Sequence, residues 1–422
     1  MKSSVRRSDR GVRKEKSHGP LERHRDEISR CVKCGSCSAV CPPFLHARAE
    51  SYSPRGRMAL LKAVLEGRLA MSDITIDRLA TCTTCLACET SCASSVPVTD
   101  IIQAAKEQAR EESGTGVIGA VISSVVKHPA LFRAVAWFAP VALHYKKEQA
   151  GSSTSALRSR EHSQPLGAGK VQRSRKTGTK RQGAKGRVVF FPGCAVENFQ
   201  PELGRAALAV LNRLGYEVIV PEGLKCCGRP LLSLGDRKGA QELAVHNSAL
   251  LAGFEADAII TACASCGLTF KREYPKLLPP DAKRPVLLDI HEFLVDKIND
   301  IQFTPLNKSI TVHDPCHLGR GQGLSKAVRD LLQRVPGVTL LEMQNADRCC
   351  GFGGVMRLTH RGLSNGIAEE KVKNIIATGA STVATGCPGC RMQISDALRR
   401  AESAVTVLHP VQMLEEALGN AE

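Results

Sequence analysis

The chain has 422 residues, of which 43% are hydrophobic and 4% aromatic, and its formal net charge is +17. This length allows two or three domains with their own cores, whereas the few aromatic residues argue against a stacking platform for single-stranded nucleic acid. Most of the charge lies in residues 1–30, with ten Lys/Arg against five Asp/Glu, and in residues 146–187, with twelve against two. We therefore expect nearly neutral folded parts and no nucleic-acid partner.

The N-terminal residues 1–24 are predicted to form a basic, disordered tail. They contain neither the apolar run nor the cleavage site of a secretory signal, so we expect the chain in a reducing cytosol. There, clustered cysteines bind metal or carry out redox chemistry more often than they form disulfides. The chain has eighteen cysteines, and two internal repeats contain all of them.

The first repeat, in a predicted domain of residues 25–112, is a four-cysteine motif that recurs after 51 residues. Its copies are Cys31, Cys34, Cys37, Cys41 and Cys82, Cys85, Cys88, Cys92. The C-x2-C-x2-C-x3-C spacing is that of bacterial two-cluster ferredoxins, in which the fourth cysteine of each run ligates the other cluster. We therefore predict two cubane 4Fe–4S clusters. The first is held by Cys31, Cys34, Cys37 and Cys92, and the second by Cys82, Cys85, Cys88 and Cys41.

The second motif departs from the ferredoxin pattern at one position, and zinc is an alternative to the clusters. Ala93 follows the second motif where the pattern expects proline; proline is not a ligand, so cluster binding should survive. Four thiolates also suit zinc, but two consecutive runs with ferredoxin spacing favour iron–sulfur clusters.

Residues 113–186 are predicted to be an apolar connector followed by a basic disordered linker. The apolar part, 116–145, is interrupted by charged residues and Pro129, which leaves runs too short to cross a bilayer. We interpret it as a packed connector, with an interfacial helix as the alternative. The linker, 151–186, is rich in Ser, Gly, Lys and Arg and has almost no large apolar residue, so it cannot form a core.

The second repeat predicts two Cys-Cys-Gly domains, at residues 187–300 and 301–422, with a period of 122 to 124 residues. The cysteines of its first copy are Cys194, Cys226, Cys227, Cys263 and Cys266. Those of its second copy are Cys316, Cys349, Cys350, Cys387 and Cys390. Five thiolates exceed the needs of one zinc ion or one cubane, so either one cysteine is free for disulfide exchange or the cluster is unusual. Gly228 and Gly351 would allow close backbone approach.

Short apolar runs alternate with helical patterns in both copies. The predicted strands are 187–191, 217–220, 258–260, 310–312 and 382–384. This order predicts the α/β class, with an α-helical bis-cluster, ferredoxin-like N-terminal domain followed by two repeated parallel-sheet Cys-Cys-Gly lobes. The cysteines come just after the strands, so we expect their sites at the carboxyl edges of the sheets.

Over nearly its full length the chain resembles the glycolate oxidase iron–sulfur subunit family. Its relatives include a component of anaerobic glycerol-3-phosphate dehydrogenase, lactate-utilisation iron–sulfur proteins and the heterodisulfide reductase catalytic subunit. The matching segments are CVKCGSCSAVCP, PRGRMALLKAVLEG, CTTCLACETSC, FPGC, KCCGRP, CASCGLTFKREYP, HDPCHLGRGQG, RCCGFGG and CPGCRMQI.

The resemblance implies an electron-transfer subunit that works with an FAD-linked flavoprotein oxidising a 2-hydroxy acid, glycolate or lactate, and that passes electrons toward a membrane quinone pool. We expect no flavin in this chain, because no Gly-rich dinucleotide fingerprint follows a strand. A weak contact with the inner face of the cell membrane is expected.

The heterodisulfide reductase branch implies a different activity. There the ten Cys-Cys-Gly cysteines hold one or two further 4Fe–4S clusters of non-cubane type that reductively cleave a disulfide. A cluster protein with only a regulatory role is a third interpretation.

Overall fold

Nine helices between Arg25 and Phe138 form the N-terminal part of the described chain. The computed structural model describes residues 19–114, 116–138, 173–174 and 181–419. The helices are α1 Arg25–Ser29, α2 Ser36–Ala39, α3 Pro42–Ala47, α4 Pro54–Leu65, α5 Asp73–Ala80, α6 Ala87–Thr90, α7 Val98–Ser113, α8 Val117–Lys127 and α9 Pro129–Phe138, with 3-10 turns at Glu22–His24 and Glu50–Tyr52. Leu21, Ile28 and Ile101 belong to the buried core of this domain.

The first α/β lobe follows, built on a fully parallel five-stranded sheet of order β1-β3-β2-β4-β5. Its elements are β1 Arg173–Ser174, β2 Gly186–Phe190, α10 Gly193–Phe199, α11 Pro201–Arg213, β3 Tyr216–Pro221, α12 Arg229–Ser233, α13 Arg237–Leu251, β4 Ala258–Thr261, α14 Ala264–Leu268, a π turn Thr269–Glu273, α15 Tyr274–Leu277, β5 Leu287–Asp289 and α16 Ile290–Leu294. All of β2 is buried, as is typical of a central parallel strand covered on both faces.

The second lobe repeats this topology with a parallel sheet of order β7-β6-β8-β9. Its elements are β6 Lys308–Val312, α17 Gly319–Gln322, α18 Ser325–Gln333, β7 Val338–Leu340, α19 Met356–Thr359, α20 Arg361–Ile376, β8 Thr382–Ala384, α21 Pro388–Arg400, β9 Thr406–Leu408 and α22 Pro410–Ala417. Strands β6 to β9 thus correspond in order to β2 to β5, and the predicted pair of α/β lobes is confirmed.

The two lobes share apolar core across their junction. Val411, Leu414 and Ala417 of α22 are buried in one cluster with Leu203 and Leu211 of α11. Because the last helix of the second lobe completes the core of the first, neither lobe buries its apolar surface alone.

The N-terminal domain is docked against the first lobe by close backbone contact and by ion pairs. A Cβ on Gly235, whose φ is +74°, would lie 2.4 Å from the carbonyl oxygen of Lys106 on α7. Lys276 Nζ lies 2.9 Å from Asp100 Oδ1, and Arg272 pairs with Glu89 at 3.1 Å. The helical domain therefore packs tightly on the lobe.

The structure differs from the predicted N-terminal tail and from the predicted linker at a few residues each. Residues 19–24 are not part of a disordered tail, because Leu21 is fully buried; residues 1–18 lie outside the described residues. Arg173–Ser174, within the predicted linker, adds a strand to the edge of β3. The rest of the linker up to residue 180 lies outside the described residues.

The connector forms α8 and α9, which pack on the first lobe along one face only. Val126 is buried and Phe132 contacts Phe199 edge to face, whereas Val117 and Ile118 are 80% and 64% exposed. In the described ranges, no single helix is long and apolar enough to cross a membrane; α8 and α9 meet that criterion only together, bent by 115°.

Candidate metal centres

The two ferredoxin-type motifs have the same backbone conformation. Lys33 and Thr84, at equivalent positions, have φ of 59° and 52°, and Gly35 and Leu86 have φ of 89° and 66°. Left-handed conformations are costly for residues with a Cβ, so their recurrence at Lys33, Thr84 and Leu86 indicates a backbone that wraps a common object. A single helical turn, α2 or α6, follows each loop.

Four cysteines meet in what we call the enclosed site. One small cavity is lined by thiols from both motifs: Cys41, Cys82, Cys85 and Cys88. Burial raises the pKa of Cys41 to about 12, so its thiolate needs a positive partner such as a metal to persist. The crossing of the fourth cysteine of the first motif into the second site is the arrangement that the spacing predicts.

The other site, which we call the exposed site, lies at the protein surface. Cys34 is exposed, while Cys31, Cys37 and Cys92 are half-buried against the core of the helical domain. Hydrogen bonding to Ser36 lowers the pKa of Cys34, and burial raises that of Cys37. The neighbouring Val32 is 72% exposed.

All ten cysteines of the Cys-Cys-Gly modules follow the carboxyl ends of strands. In the first module they follow β2, β3 and β4: Cys194, then Cys226 and Cys227, then Cys263 and Cys266. In the second module they follow β6, β7 and β8: Cys316, then Cys349 and Cys350, then Cys387 and Cys390. Parallel strands present their carboxyl ends at one edge, so each set converges, as predicted.

The thiols of the first module contact one another directly. Cys226 Sγ lies 3.4 Å from Cys194 Sγ. Hydrogen bonds from Cys226 and Cys266 hold the pKa of Cys227 well below its usual value. Gly193, with φ +69°, leaves room for this packing, since a Cβ there would lie 2.7 Å from Cys266 Sγ.

The second module repeats this network. Cys350 Sγ lies 3.5 Å from Cys390 Sγ, and hydrogen bonds with Cys349 and Cys390 lower the pKa of Cys350. Gly351, with φ +84°, is also required here, because a Cβ would lie 2.7 Å from the carbonyl oxygen of Ser364. Each Cys-Cys pair thus presents a thiolate stabilised by its neighbours.

Two further thiol contacts join the sites. Cys263 of the first module lies beside Cys387 of the second, where the backbone N–H of Ala264 donates to the carbonyl oxygen of Gly386 at 3.4 Å; interaction with Cys263 holds the pKa of Cys387 low. Cys85 of the enclosed site packs with Cys349 in one buried cluster, and the neighbouring Cys349 raises the pKa of Cys85. Cysteine contacts therefore connect the helical domain to the second module and the second module to the first.

The donor chemistry fits iron–sulfur clusters. All eighteen cysteines are free, and the Sγ–Sγ distances of 3.4 and 3.5 Å are far beyond the ~2.05 Å of a disulfide bond. Converging thiolates in buried surroundings are the ligand set of such clusters.

His317 lies where the helical domain and both lobes meet. Its Nε2 donates to the carbonyl oxygen of Thr84 at 3.2 Å, and its Nδ1 accepts from Ser265 Oγ at 3.0 Å. Burial lowers its pKa to about 4, so the ring is neutral. Its one N–H hydrogen is on Nε2, which donates, and Nδ1 is left to accept. Arg229 completes the junction by donating to Thr84 Oγ1 at 2.7 Å.

His313 is a candidate metal ligand in addition to the cysteines. Its Nδ1 donates to the carbonyl oxygen of Ala346 at 3.1 Å, which leaves Nε2 without a proton. This buried Nε2 has no hydrogen-bond partner among the described residues. A His313 ring nitrogen, Cys350 Sγ and Cys390 Sγ lie within 4.8 Å of one another.

From sequence alone, His313 and His317 stand out only as neighbours of Cys316, and Arg229, Lys106 and Ser265 are missed. These residues act across domain junctions, and none belongs to a local motif. The one signal available is the position of Arg229 directly after Cys226-Cys227-Gly228.

Fold and sites together define an iron–sulfur protein that joins a ferredoxin-type helical domain to a pair of Cys-Cys-Gly lobes. Family models agree: the 4Fe-4S dicluster domain matches residues 27–96, and the Cysteine-rich domain matches residues 188–271 and 310–395. The chain belongs to the family of iron–sulfur subunits with this domain composition, which includes the glycolate oxidase iron–sulfur subunits. It is accordingly an iron–sulfur electron-transfer protein of the oxidoreductases, with 4Fe–4S clusters as cofactors.

Three curated relatives illustrate the range of the family. A component of the fumarate reductase (CoM/CoB) of Methanothermobacter marburgensis is 31% identical over 92% of this chain and 72% of its own length. The probable glycolate oxidase iron–sulfur subunit of Bacillus subtilis is 27% identical, covering 93% of this chain and 95% of its own. A component of the dihydromethanophenazine:CoB–CoM heterodisulfide reductase of Methanosarcina barkeri is 28% identical over 93% and 94%.

One solved structure, a hypothetical protein from Helicobacter pylori, has a similar fold. Its TM-score is 0.52 at 10% sequence identity, over 95% of this chain and 72% of that one.

Proposed function

We propose that the chain is the iron–sulfur electron-transfer subunit of a flavin-linked 2-hydroxy-acid dehydrogenase complex. Glycolate is the leading candidate for the hydroxy acid, and lactate is the alternative. An FAD-linked oxidase subunit oxidises the hydroxy acid, and this chain passes the electrons toward the membrane quinone pool. The chain is active only with that flavoprotein. The observation that carries the proposal is the succession of thiol sites from the surface at Cys34 to the buried contact between Cys85 and Cys349.

The ligands are proposed from the same geometry. One cubane is held by Cys31, Cys34, Cys37 and Cys92. The other is held by Cys82, Cys85, Cys88 and Cys41. The ten module cysteines hold one or two further 4Fe–4S clusters, of cubane or non-cubane type. Such clusters supply one-electron transfer, and the protein supplies thiolate ligands and fixed surroundings.

Residues around the ligands keep these surroundings fixed. Arg57 donates to the carbonyl oxygen of Arg78 at 2.9 Å and to Thr81 Oγ1 at 2.7 Å, which holds α4 against the start of the second motif. His317 and Arg229 hold Thr84, in the loop of that motif, against both lobes. A rigid frame limits reorganisation when charge changes at a site.

A peripheral position on the inner face of the cell membrane is part of the proposal. The exposed apolar side chains of α8, Val117, Ile118 and Val121, precede the basic stretch 146–187 with its twelve Lys/Arg. An apolar helix face combined with basic residues suits an anionic lipid surface.

A disulfide or heterodisulfide reductase is the second candidate. The contact between Cys263 and Cys387 brings two complete modules together, which favours joint chemistry at their junction. The equally similar heterodisulfide reductase relative also supports it.

The deciding experiment compares two assays on anaerobically purified protein. The first measures glycolate- or lactate-dependent dye reduction by the chain together with its FAD-linked oxidase. The second measures disulfide cleavage by the isolated chain with a chemical reductant. Activity only in the first assay supports the leading proposal, and activity of the isolated chain in the second would replace it with the reductase.

A further inference from the structure

Three buried cationic side chains surround the enclosed site. Arg57 is 1% exposed, and Lys106 and Arg229 are each 9% exposed. Arg57 lines the cavity of the enclosed site, and so does Ile102, one helical turn before Lys106 on α7. The charge of Arg57 acts on Cys41 and that of Lys106 on Cys82. Arg229 hydrogen-bonds to Thr84, within the loop that carries Cys82 and Cys85.

Only one of these three cations is balanced by a carboxylate among the described residues. Arg229 pairs with Glu273 at 3.2 Å. The hydrogen bonds of Arg57 go to Arg78 and Thr81, and Lys106 Nζ donates to the carbonyl oxygen of Ser233 at 3.2 Å. Burying an unbalanced charge is costly, so two positive charges at this site call for a negative partner.

The four thiolates of the enclosed site supply that negative charge. A thiolate-ligated cluster is an anion, and each electron it accepts adds one more negative charge. Buried cations stabilise the reduced form more than the oxidised form, and low polarisability of the surroundings strengthens the effect.

The exposed site has no comparable set among the described residues. Arg55 interacts electrostatically with Cys34 and Cys37, but it is about one-third exposed and pairs with Glu50 at 2.7 Å. A neutralised charge at the surface is also screened by water and salt. The two sites therefore have the same ligand type but different electrostatic surroundings.

We infer that Arg57 and Lys106, supported by Arg229, give the enclosed site a higher reduction potential than the exposed site. One electron lost by the exposed site is one electron gained by the enclosed site, and no bond or proton needs to change. The three cations thus set the direction of transfer inward, toward the Cys-Cys-Gly modules. This inference rests on the ligands proposed above and adds the residues that order the sites.

The test is an anaerobic redox titration of the full chain followed by EPR, with a soluble dysprosium chelate that relaxes only surface sites. Cys34→Ser and Cys85→Ser assign one signal each to the exposed and the enclosed site. Of these two signals, we expect the one that is insensitive to the chelate, from the enclosed site, to develop at the higher potential. In the unmodified protein alone, a chelate-sensitive signal that develops before every insensitive one would overturn the inference.

Variants at Lys106 assign the effect to charge. We expect Lys106→Gln to lower the ratio of reduced to oxidised enclosed site about tenfold at fixed potential, a shift of about 59 mV for one electron. Lys106→Arg, which keeps the charge, should change the ratio less than about twofold, and Arg55→Gln should leave it unchanged. An unchanged ratio in Lys106→Gln with normal iron content would refute the role of Lys106.

These measurements use a chemical reductant and need no hydroxy acid. A chain inactive with glycolate can therefore still show the predicted order, whereas an active complex with the reverse order would refute only this inference.

Discussion

The two ferredoxin-type sites are built from the same motif and the same backbone conformation, yet they differ in nearly every property of their surroundings. The exposed site has Cys34 at the surface beside Val32. The enclosed site borders both lobes: Thr84 in its loop is hydrogen-bonded to Arg229 and His317, and its Cys85 packs with Cys349 in one buried cluster. A duplicated motif thus determines how a site is ligated, while the domain packed against it determines with what the site communicates.

This difference gives the chain a direction. A partner protein can approach the exposed site, and in the part of the chain that the structure describes only the enclosed site adjoins the Cys-Cys-Gly modules. Substitutions at the ligands, at the junction, at the buried histidines and at the surface should have successively smaller effects.

Replacing one ligand in each site should have the largest effect. We expect Cys85→Ser to remove about four irons per chain and also to alter the EPR signal of the second module, because Cys85 contacts Cys349. Cys34→Ser should affect only the exposed site and leave the module signal unchanged. Equal disturbance of the module signal by both variants would contradict the asymmetry.

Breaking the junction should cost stability. Arg229→Met removes the buried partner of Glu273 and leaves this buried carboxylate only Lys276, which lies 3.9 Å away and is 41% exposed, so we expect the free energy of unfolding to fall by about 3 kcal/mol. The control is Lys326→Gln, since Lys326 is 83% exposed in its ion pair with Asp330 and should change the free energy by less than about 0.5 kcal/mol. Denaturant unfolding in anoxia measures both, and similar losses would argue against a junction held by Arg229.

The buried histidine at the junction of the lobes should make stability depend on pH. His409 stacks on His291 at 5.0 Å, and burial holds its pKa well below 6.5. As the pH falls below 6.5, the unfolded state binds the proton first, so His409 should contribute a drop of about 1.4 kcal/mol in the free energy of unfolding between pH 7.5 and 5.5. Burial also lowers the pKa of His313 and His317, which should add drops of the same sign.

Two variants isolate this contribution. His409→Asn keeps an acceptor for the amide of Val411, which His409 now bonds at 3.2 Å, and should remove that drop. His128→Asn, at an exposed position, should not. The same pH dependence in wild type and His409→Asn would show that other groups cause it.

A change at the rim of the exposed site should have the smallest effect on stability. We expect Val32→Ser to alter the free energy of unfolding by less than about 0.5 kcal/mol, while electron transfer from the flavoprotein slows because apolar contact at the docking surface is lost. Dye reduction by the complex measures this rate. An unchanged rate would place the docking surface elsewhere.

The sequence predicted what depends on local pattern and repetition. The strands before Cys194, Cys263, Cys316 and Cys387 lie where the apolar runs place them, because buried parallel strands are continuous apolar segments. The edge strands Leu287–Asp289, Val338–Leu340 and Thr406–Leu408 were not predicted. They are as short as β8, but no repeated cysteine follows them within a few residues to mark the end of a strand.

Contacts between distant segments were beyond the reach of sequence patterns. Neither the packing of α22 on α11 nor the meeting of Thr84, Arg229 and His317 depends on a local motif. These contacts arise from the docking of domains, which one sequence does not encode in any spacing. The environment of each metal site was therefore found only in three dimensions.

The most direct test of an iron–sulfur relay in this chain is iron and acid-labile sulfide analysis, with EPR, of the protein purified in strict anoxia. We expect at least about eight irons and as many sulfides per chain, rising toward about sixteen if both modules are filled. Colourless protein that contains zinc and no sulfide would contradict it.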